Sequence, residues 1–392
     1  KLYSVLPSDG TGDFTFTRNS KATRINAQGL IEIVNDNISR LNYPLIDGVQ
    51  KGCPHHILEP ARTNILSYSE DFSNSFWNKG GSSIISNTSI SPDGGLNADK
   101  LVQDTSSGVH KIVKPYTGIS GTNTCSIFVK PDGVTKIGIS STESVSVLSS
   151  FDLSNGTLIS SLSDDYSITS FADGWFRISS TDIGGNRKMA VFLLDDTGNY
   201  SYQGDGVSGL YIYGAMLEEG SFPTSYIPTS GTAVTRSAET ASGAGNSTTF
   251  NDSEGVLMAE ISALADDGTT RQIDLSFGAA NSDYVRLEFA TTSNLIYGVI
   301  KNTTQQAALS YTLPSSTDLN KIAIKYKVND FSLFVNGFEV DTDTNGTTPS
   351  NLNNLNFTSG TNANPFYGKT KQLQYFDLAL ADTQLEQLTS WQ

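Results

Sequence analysis

The apolar residues of this chain rarely recur at the three- and four-residue spacing of a helix. They alternate singly or form short blocks that end at Gly, Asn, Asp, Ser or Pro. Turn sequences such as Pro131-Asp132-Gly133 and Ala172-Asp173-Gly174 stand between the blocks, and Gly supplies the positive φ that tight turns need. The pattern predicts an all-β protein built as sandwiches or barrels.

Two series of strands are predicted, and 392 residues are too many for one ordinary core. The first series comprises Thr124–Lys130, Thr135–Ser140, Trp175–Ser180, Met189–Leu194 and Leu210–Met216. The second comprises Gly255–Leu264, Arg271–Phe277, Tyr284–Phe289, Ile296–Lys301, Lys321–Val328, Phe331–Val335 and Phe338–Val340. A short helix is predicted only within Ala381–Trp391, with Asp382 or Thr383 as its N-cap.

The predicted architecture is two β-sandwich (jelly-roll) domains in tandem, over residues 61–236 and 254–392. The small, polar residues 237–253 between them are typical of a flexible linker. Residues 1–60 have scattered strands and are predicted to be an N-terminal arm or small β region that anchors the chain. The chain begins at Lys1 rather than Met, which leaves a preceding segment open.

Charge and cysteine content exclude several function classes. The net charge of −15 argues against nucleic acid, whose phosphates require a basic surface. No apolar run has the roughly 18 residues of a membrane helix. Cys53 and Cys125 lie far apart without CxxC spacing, so a disulfide framework is not indicated, although one long-range disulfide remains open.

Several separated phrases occur in the order found in phage virion proteins. They include FTRNSKATR (16–24), SRLNY (39–43), ILEPARTNILSYS (57–69), DGWFR (173–177), GAMLEEG (214–220), SYIP (225–228) and Thr235-Arg236. Residues 60–236 resemble the carbohydrate-binding-module-like jelly roll of phage tail and fibre proteins. The C-terminal phrases, Phe331–Asn336 with Gly337, Phe366–Tyr375 and Asp377–Thr389, resemble concanavalin A-like or laminin G-like sandwiches.

Both resemblances imply a protein of the virion surface, in a tail fibre, head fibre or capsid decoration, that binds host or environmental glycans without cleaving them. Virion appendages are commonly symmetric, so the resemblance also implies other virion proteins as partners and a homo-oligomer, here a homotrimer. The alternatives are a purely structural virion protein, a polysaccharide hydrolase or lyase, and a bacterial adhesin.

Sugar binding needs flat aromatic faces beside amides and carboxylates. The candidate glycan-binding residues are Trp77, Tyr116, Tyr200, Tyr202 and Asp205, with core packing as the alternative for each aromatic ring. Trp175 lies within an alternating strand, which favours the core.

Asp341, Asp343 and Asn345 alternate before Gly346 as in a calcium-binding EF-hand loop, which makes calcium a candidate cofactor. The twelfth position is Leu352 where a Glu is required, so an acidic hairpin is the alternative. Lys321, Lys325 and Lys327 share one strand face, either as a basic patch or as an ordinary solvated face. HExxH, GxSxG and GxxxxGK[ST] motifs are absent from the sequence, so no specific enzyme is indicated, while a hydrolase that needs only two carboxylates remains open.

Overall fold

The computed structural model describes residues 14–115, 121–140, 149–183, 188–278 and 281–391. The fold is almost entirely β, with two sandwiches of antiparallel strands, which confirms the predicted fold class. Residues before the first sandwich form β1 (Thr15–Thr17), β2 (Ala22–Ile25), β3 (Ile31–Val34), β4 (Leu41–Asn42), β5 (Leu45–Ile46), β6 (Val49–Gln50), β7 (His55–Leu58) and β8 (Arg62–Asn64).

The first sandwich packs two six-stranded sheets face to face. Its segment of the chain contains β9 (Asn78–Gly80), β10 (Ser82–Ile90), β11 (Leu96–Gln103), β12 (Ser107–Val109), β13 (Lys111–Pro115), β14 (Thr122–Asp132), β15 (Lys136–Ser140), β16 (Ser149–Asp152), β17 (Thr157–Ser161), β18 (Asp165–Ser170), β19 (Phe176–Ile183), β20 (Lys188–Leu194), β21 (Ser201–Gln203) and β22 (Gly209–Glu219). Strands β12 and β21 form a separate two-stranded sheet. The sheet orders are β10-β11-β22-β14-β19-β18 and β17-β16-β15-β20-β13-β9. Alternate residues such as Ile127, Val129, Ile137 and Val191 fill the space between them.

The second sandwich packs a seven-stranded sheet on a five-stranded sheet. Its segment of the chain contains β23 (Val234–Arg236), β24 (Thr240–Ser242), β25 (Glu254–Ala263), β26 (Arg271–Ser276), β27 (Asp283–Phe289), β28 (Leu295–Asn302), β29 (Thr304–Thr312), β30 (Asn320–Lys327), β31 (Asp330–Val335), β32 (Phe338–Asp343), β33 (Asn354–Asn356), β34 (Gly368–Phe376) and α1 (Asp382–Thr389). The sheet orders are β32-β31-β30-β25-β34-β7-β4 and β29-β28-β27-β26-β33. Every strand predicted from the sequence is present, with ends that differ by a few residues.

Helix α1 covers the face of β30 that carries its lysines. Leu385 of the helix packs on Met258 and Phe334, and Lys325 is buried beneath it. The Lys325 ammonium lies 2.7 Å from Asp382 and 2.8 Å from Asp330, and Lys321 donates to the Ser390 carbonyl at 2.9 Å. Lys327 lies 3.2 Å from Glu254. All three lysines are therefore engaged by the chain itself, and the face is neither an open basic patch nor a fully solvated one.

Residues 14–64 are part of the folded body instead of an extended arm. Strand β7 pairs with β34 and so extends the larger sheet of the second sandwich. Phe14 and Phe16 join the core of that sandwich, while Ile31 packs on Phe128 and Trp175 of the first. These apolar side chains reach both cores, so the segment lies between the sandwiches and contacts each of them.

The predicted linker over residues 237–253 is ordered. Strand β24 pairs with β1, and the Ala244 and Leu355 backbones exchange hydrogen bonds of 3.2 and 2.9 Å. Ala241, Ala244 and Phe250 are buried in the second core. The small residues that indicate flexibility in the sequence instead allow close packing against neighbouring backbone.

Buried ion pairs join four separate stretches of the chain. Arg18 lies 2.7 Å from Glu239, Arg40 contacts Glu239, and Arg40 and Arg236 each lie 2.8 Å from Glu59. Burial alone raises the pKa of Glu59, but the charges of Arg236 and Arg40 outweigh it and hold that pKa well below its usual range. We call Arg18, Arg40, Glu59, Arg236 and Glu239 the junction network.

The remaining sequence expectations concern cysteines and membranes. Cys53 is exposed and Cys125 is buried, and both are free thiols, so the long-range disulfide is not formed. Within the described ranges, no helix combines the length and the apolar character needed to cross a bilayer.

Candidate functional site

Two connections meet at one end of the first sandwich. The connection from β11 to β13 and the connection from β20 to β22 both leave this end, because β11 neighbours β22 in one sheet and β13 neighbours β20 in the other. Strands β12 and β21 pair across the gap, with Gly108 opposite Tyr202. We call residues 103–110 and 195–208 the loop end.

Tyr202 is held in place by a chain of hydrogen bonds. Its hydroxyl donates to Gln103 Oε1 at 2.5 Å, and Gln103 Nε2 donates to Asp205 Oδ1 at 2.8 Å. The Tyr202 ring packs on His110 with the ring centroids 4.7 Å apart. Burial, together with the charges of Asp195 and Asp205, raises the pKa of Tyr202, so its hydroxyl stays a neutral donor.

The Asp205 carboxylate organises its own turn. It accepts hydrogen bonds from the backbone N–H groups of Val207 and Ser208, both at 2.8 Å, and from the Ser208 hydroxyl at 2.6 Å. The hydrogen bonds from Gln103 and Ser208 lower the pKa of Asp205, so the group is ionised at neutral pH. The structure thus joins Tyr202 and Asp205 through Gln103, as one rigid group.

Asp195 forms a second turn of the same kind at the loop end. It accepts the backbone N–H groups of Thr197 and Asn199 at 2.9 and 2.8 Å. Burial raises the pKa of Asp195, but hydrogen bonds from Thr197 and Asn199 outweigh it and bring the pKa to about 2. Tyr200 follows this turn, and 43% of its surface is exposed. The loop end therefore presents one solvent-facing aromatic ring beside ionised carboxylates and amides.

Two tryptophans of the first sandwich do not reach the surface. Trp77 is buried against Phe72 and Phe76, and its indole N–H donates to the Tyr68 carbonyl at 3.0 Å. The prediction that Trp77 contacts glycan is therefore wrong, because the first core encloses its ring. Trp175 is also buried, which confirms its core interpretation. Tyr116 lies outside the described residues.

Replacing Trp77 with Ala is expected to lower the free energy of unfolding by about 3–5 kcal/mol, because it empties a large volume in a packed core. Chemical denaturation checks this value. Trp391→Ala is the matched control, since half of the Trp391 surface is exposed. Its indole N–H donates to Asn336 Oδ1 at 3.1 Å and its ring lies 5.1 Å from the Lys321 ammonium, so its loss is expected to cost about 1 kcal/mol. Equal effects of the two substitutions would contradict the placement of Trp77.

The candidate calcium ligands do not converge on one point. Asp341 accepts the Ser310 backbone N–H at 2.8 Å, whereas Asp343 accepts the Asn345 backbone N–H at 2.9 Å within its own turn. Asp341 and Asp343 lie on β32, which pairs with β31. No group of three or more His, Cys, Asp or Glu side chains placed to hold a metal occurs in the part of the chain that the structure describes. The geometry is that of the acidic hairpin.

Sequence reasoning did not identify Gln103 or His110 as part of the loop end. Gln103 is the last residue of β11, and His110 stands in the sequence without a second histidine at metal-binding spacing. Their roles depend on β12 pairing with β21, about a hundred residues away, and strands of three residues leave no periodic signal.

No protein-family model matches this chain, and no curated protein matches its sequence. Among solved structures, the chain is similar to the CBM40 of the Ruminococcus gnavus IT-sialidase bound to alpha2,3 sialyllactose, at 18% identity and a TM-score of 0.32, over 38% of this chain and 94% of that one. It is also similar to domains LG4-5 of the mouse laminin alpha1 chain, at 11% identity and a TM-score of 0.27, over 71% of this chain and 89% of that one. Likeness at this level leaves the ligand of this chain undetermined.

Proposed function

We propose that this chain is a phage virion surface protein that binds host or environmental glycans without cleaving them. The observation that carries glycan binding is the loop end, where exposed Tyr200 precedes by two residues Tyr202, whose hydroxyl is joined through Gln103 to Asp205. An aromatic face takes the C–H surface of a sugar, and fixed amides and carboxylates take its hydroxyl groups. Hydrogen bonds hold these polar groups in place before a ligand arrives, which reduces the entropy lost on binding.

The protonation states at the loop end support binding without hydrolysis. A glycosidase requires one carboxylic acid whose pKa is raised so that it can protonate the leaving group. At the loop end the pKa values of Asp104, Asp195 and Asp205 are all lowered. The hydrogen bond from Gln103 is the largest cause for Asp205, whereas hydrogen bonds within their own turns lower the pKa of Asp104 and, against burial, that of Asp195. These three carboxylates are poor general acids at neutral pH.

The virion location is supported by the sequence phrases and by where their residues lie. Arg18, Arg40, Glu59 and Arg236 come from four of the phage-like phrases, and all four belong to the junction network. Ile33, Ile46 and Val49 of the N-terminal segment are more than half exposed. Exposed apolar side chains of this kind suit contacts with other virion proteins or with further copies of the chain in a homotrimer.

Replacing Tyr200 with Ala is expected to weaken glycan binding at least about tenfold, which corresponds to roughly 1.4 kcal/mol of lost contact. Folding should be unchanged, because the ring is exposed. Calorimetry with a glycan identified by array screening measures the effect.

Tyr166→Ala is the matched control, because Tyr166 is 44% exposed on β18, outside the loop end. Its affinity should equal that of the unmodified chain. Full binding by Tyr200→Ala would overturn the assignment of the site.

A further inference from the structure

A cavity of about 370 Å³ lies where the N-terminal segment meets both sandwiches. Tyr43 comes from the N-terminal segment, Phe128 and Phe171 come from the first sandwich, and Lys369 comes from the second. The volume is within the range of roughly 300–1,000 Å³ found for small-molecule sites. Thr169 in its lining is exposed to solvent. The cavity is lined by other residues than those of the loop end, so the two are separate. Its volume is large enough for a single sugar unit.

Arg177 in the wall of this cavity lacks a carboxylate partner. Its Nη2 donates to the Ser126 hydroxyl at 3.0 Å and lies 3.6 Å from the Met216 sulfur. Its Nε is buried and has no hydrogen-bond acceptor among the described residues, and the guanidinium lies 5.4 Å from the centroid of the Phe128 ring. No ion pair to Arg177 is formed within the described ranges. A guanidinium stays charged in proteins, so this charge is poorly compensated.

The carboxylates closest to Arg177 are engaged elsewhere. Glu59 also lines the cavity, but its charge is compensated because it pairs with Arg40 and Arg236 in the junction network. Glu218 accepts the Thr224 backbone N–H at 3.0 Å and the Thr224 hydroxyl at 2.6 Å, with Arg62 3.8 Å away. Taken together, five guanidinium groups face three carboxylates. This list comprises Arg18, Arg40, Arg62, Arg177 and Arg236 with Glu59, Glu218 and Glu239.

Lys369 adds a further cation to the same wall. It is half-buried on β34, and no hydrogen bond or ion pair to its ammonium occurs within the part of the chain that is described. Burial lowers the pKa of Lys369, while the more distant charges of Asp318 and Glu59 oppose the change. His55 nearby is neutral because burial and the charges of Lys369 and Lys371 lower its pKa to about 3. Arg24 also lines the cavity, but it is paired with Glu32.

We propose that this cavity binds the carboxylate of an acidic monosaccharide unit, with Arg177 and Lys369 as its cationic partners. A carboxylate offsets the local excess of positive charge and gives Arg177 the charge-assisted hydrogen bonds that it lacks. The rings of Tyr43 and Phe171 supply aromatic surface for the sugar. The choice of a sugar rests on the proposed glycan binding, whereas the anion site rests only on the charges around the cavity.

Titration of the full chain with glucuronate, glucose and inorganic phosphate tests the proposal by calorimetry. We expect glucuronate to bind at least about tenfold more tightly than either of the other two, a difference of roughly 1.4 kcal/mol. Failure of glucuronate to bind would overturn the anion site. Equal binding of phosphate would overturn the sugar, since the cavity would then accept any small anion. Equal binding of glucose would show that charge does not decide affinity.

Variants locate the site and separate it from the loop end. Arg177→Met and Lys369→Met should each weaken glucuronate binding at least about tenfold. Lys327→Met is the control, because Lys327 is an exposed lysine on β30 outside the cavity. Tyr200→Ala should leave glucuronate binding intact, so failure at the loop end and failure of the cavity site are distinguishable. If Arg177→Met does not fold, Lys369→Met and the comparison of the three ligands still decide.

Discussion

Replacing Glu239 with Gln is expected to lower the free energy of unfolding by about 3–5 kcal/mol, because removal of one partner leaves buried charges uncompensated. Arg18 and Arg40 both pair with this carboxylate, and none of the three side chains is exposed. The Glu59 backbone N–H also donates to Glu239 at 2.8 Å. Gln keeps the shape of the side chain but lacks its charge. Urea unfolding monitored by tryptophan fluorescence measures the loss.

Glu32→Gln is the matched control for Glu239→Gln. Glu32 pairs with Arg24 near the surface, where both side chains are partly exposed to solvent. Ion pairs of that kind contribute about 1 kcal/mol or less. A similar small loss for Glu239→Gln would contradict the importance of the junction network. The expected large loss would show that these buried charges help to hold the N-terminal segment on the body.

Acidification is expected to destabilise the chain strongly between pH 6.5 and about pH 3, because His55 and His56 are buried in the neutral form. Burial lowers the pKa of His55 to about 3 and that of His56 to about 4, from 6.5 in the unfolded chain. The unfolded state therefore binds more protons in this range, so the stability is present above pH 6.5 and is lost as the pH falls. At about 1.4 kcal/mol per pKa unit, the loss amounts to several kcal/mol.

The substitution His56→Phe removes the contribution of one of the two histidines to the pH dependence of stability. In the part of the chain that the structure describes, neither nitrogen of His56 has a hydrogen-bond partner, and the ring packs between Phe16 and Phe357 at centroid distances of 6.0 and 6.3 Å. Phe fits the same aromatic surroundings without a titratable group. Thermal unfolding should therefore show equal or greater stability at pH 7 and a weaker pH dependence between pH 6.5 and 4. An unchanged pH dependence would show that His56 does not contribute to acid unfolding.

The sequence predicted the β class and the positions of strands along the chain, because alternation of apolar residues is a local signal. In β30, for example, Ile322, Ile324 and Tyr326 are all fully buried, as their spacing predicts. The burial of Lys325 on the opposite face was not predictable, because helix α1 that covers it begins some sixty residues later. The burial of Trp77 was also not predictable, because a single Trp near a turn suits either the core or the surface.

Several arginines of the phage-like phrases come together only in the folded chain. Arg18, Arg40 and Arg236 are about twenty to two hundred residues apart in the sequence, and nothing local connects them. Their link is tertiary, since all three converge on Glu59 and Glu239. Arg177 of another phrase lies at the edge of the same region, in the wall of the cavity. Residues from separate phrases are therefore buried together at one junction.

Screening the purified chain on a glycan array, with analysis of the recovered glycans by mass spectrometry, tests glycan binding most directly. Repeating the screen with a chelator tests whether binding depends on calcium. We expect no dependence, because Asp341 and Asp343 lie in separate hydrogen-bonded arrangements. We expect specific binding that the chelator does not change and that leaves the glycans intact. Absence of binding to every glycan would contradict the account and favour a structural role, and shortened glycans would show that the protein is an enzyme.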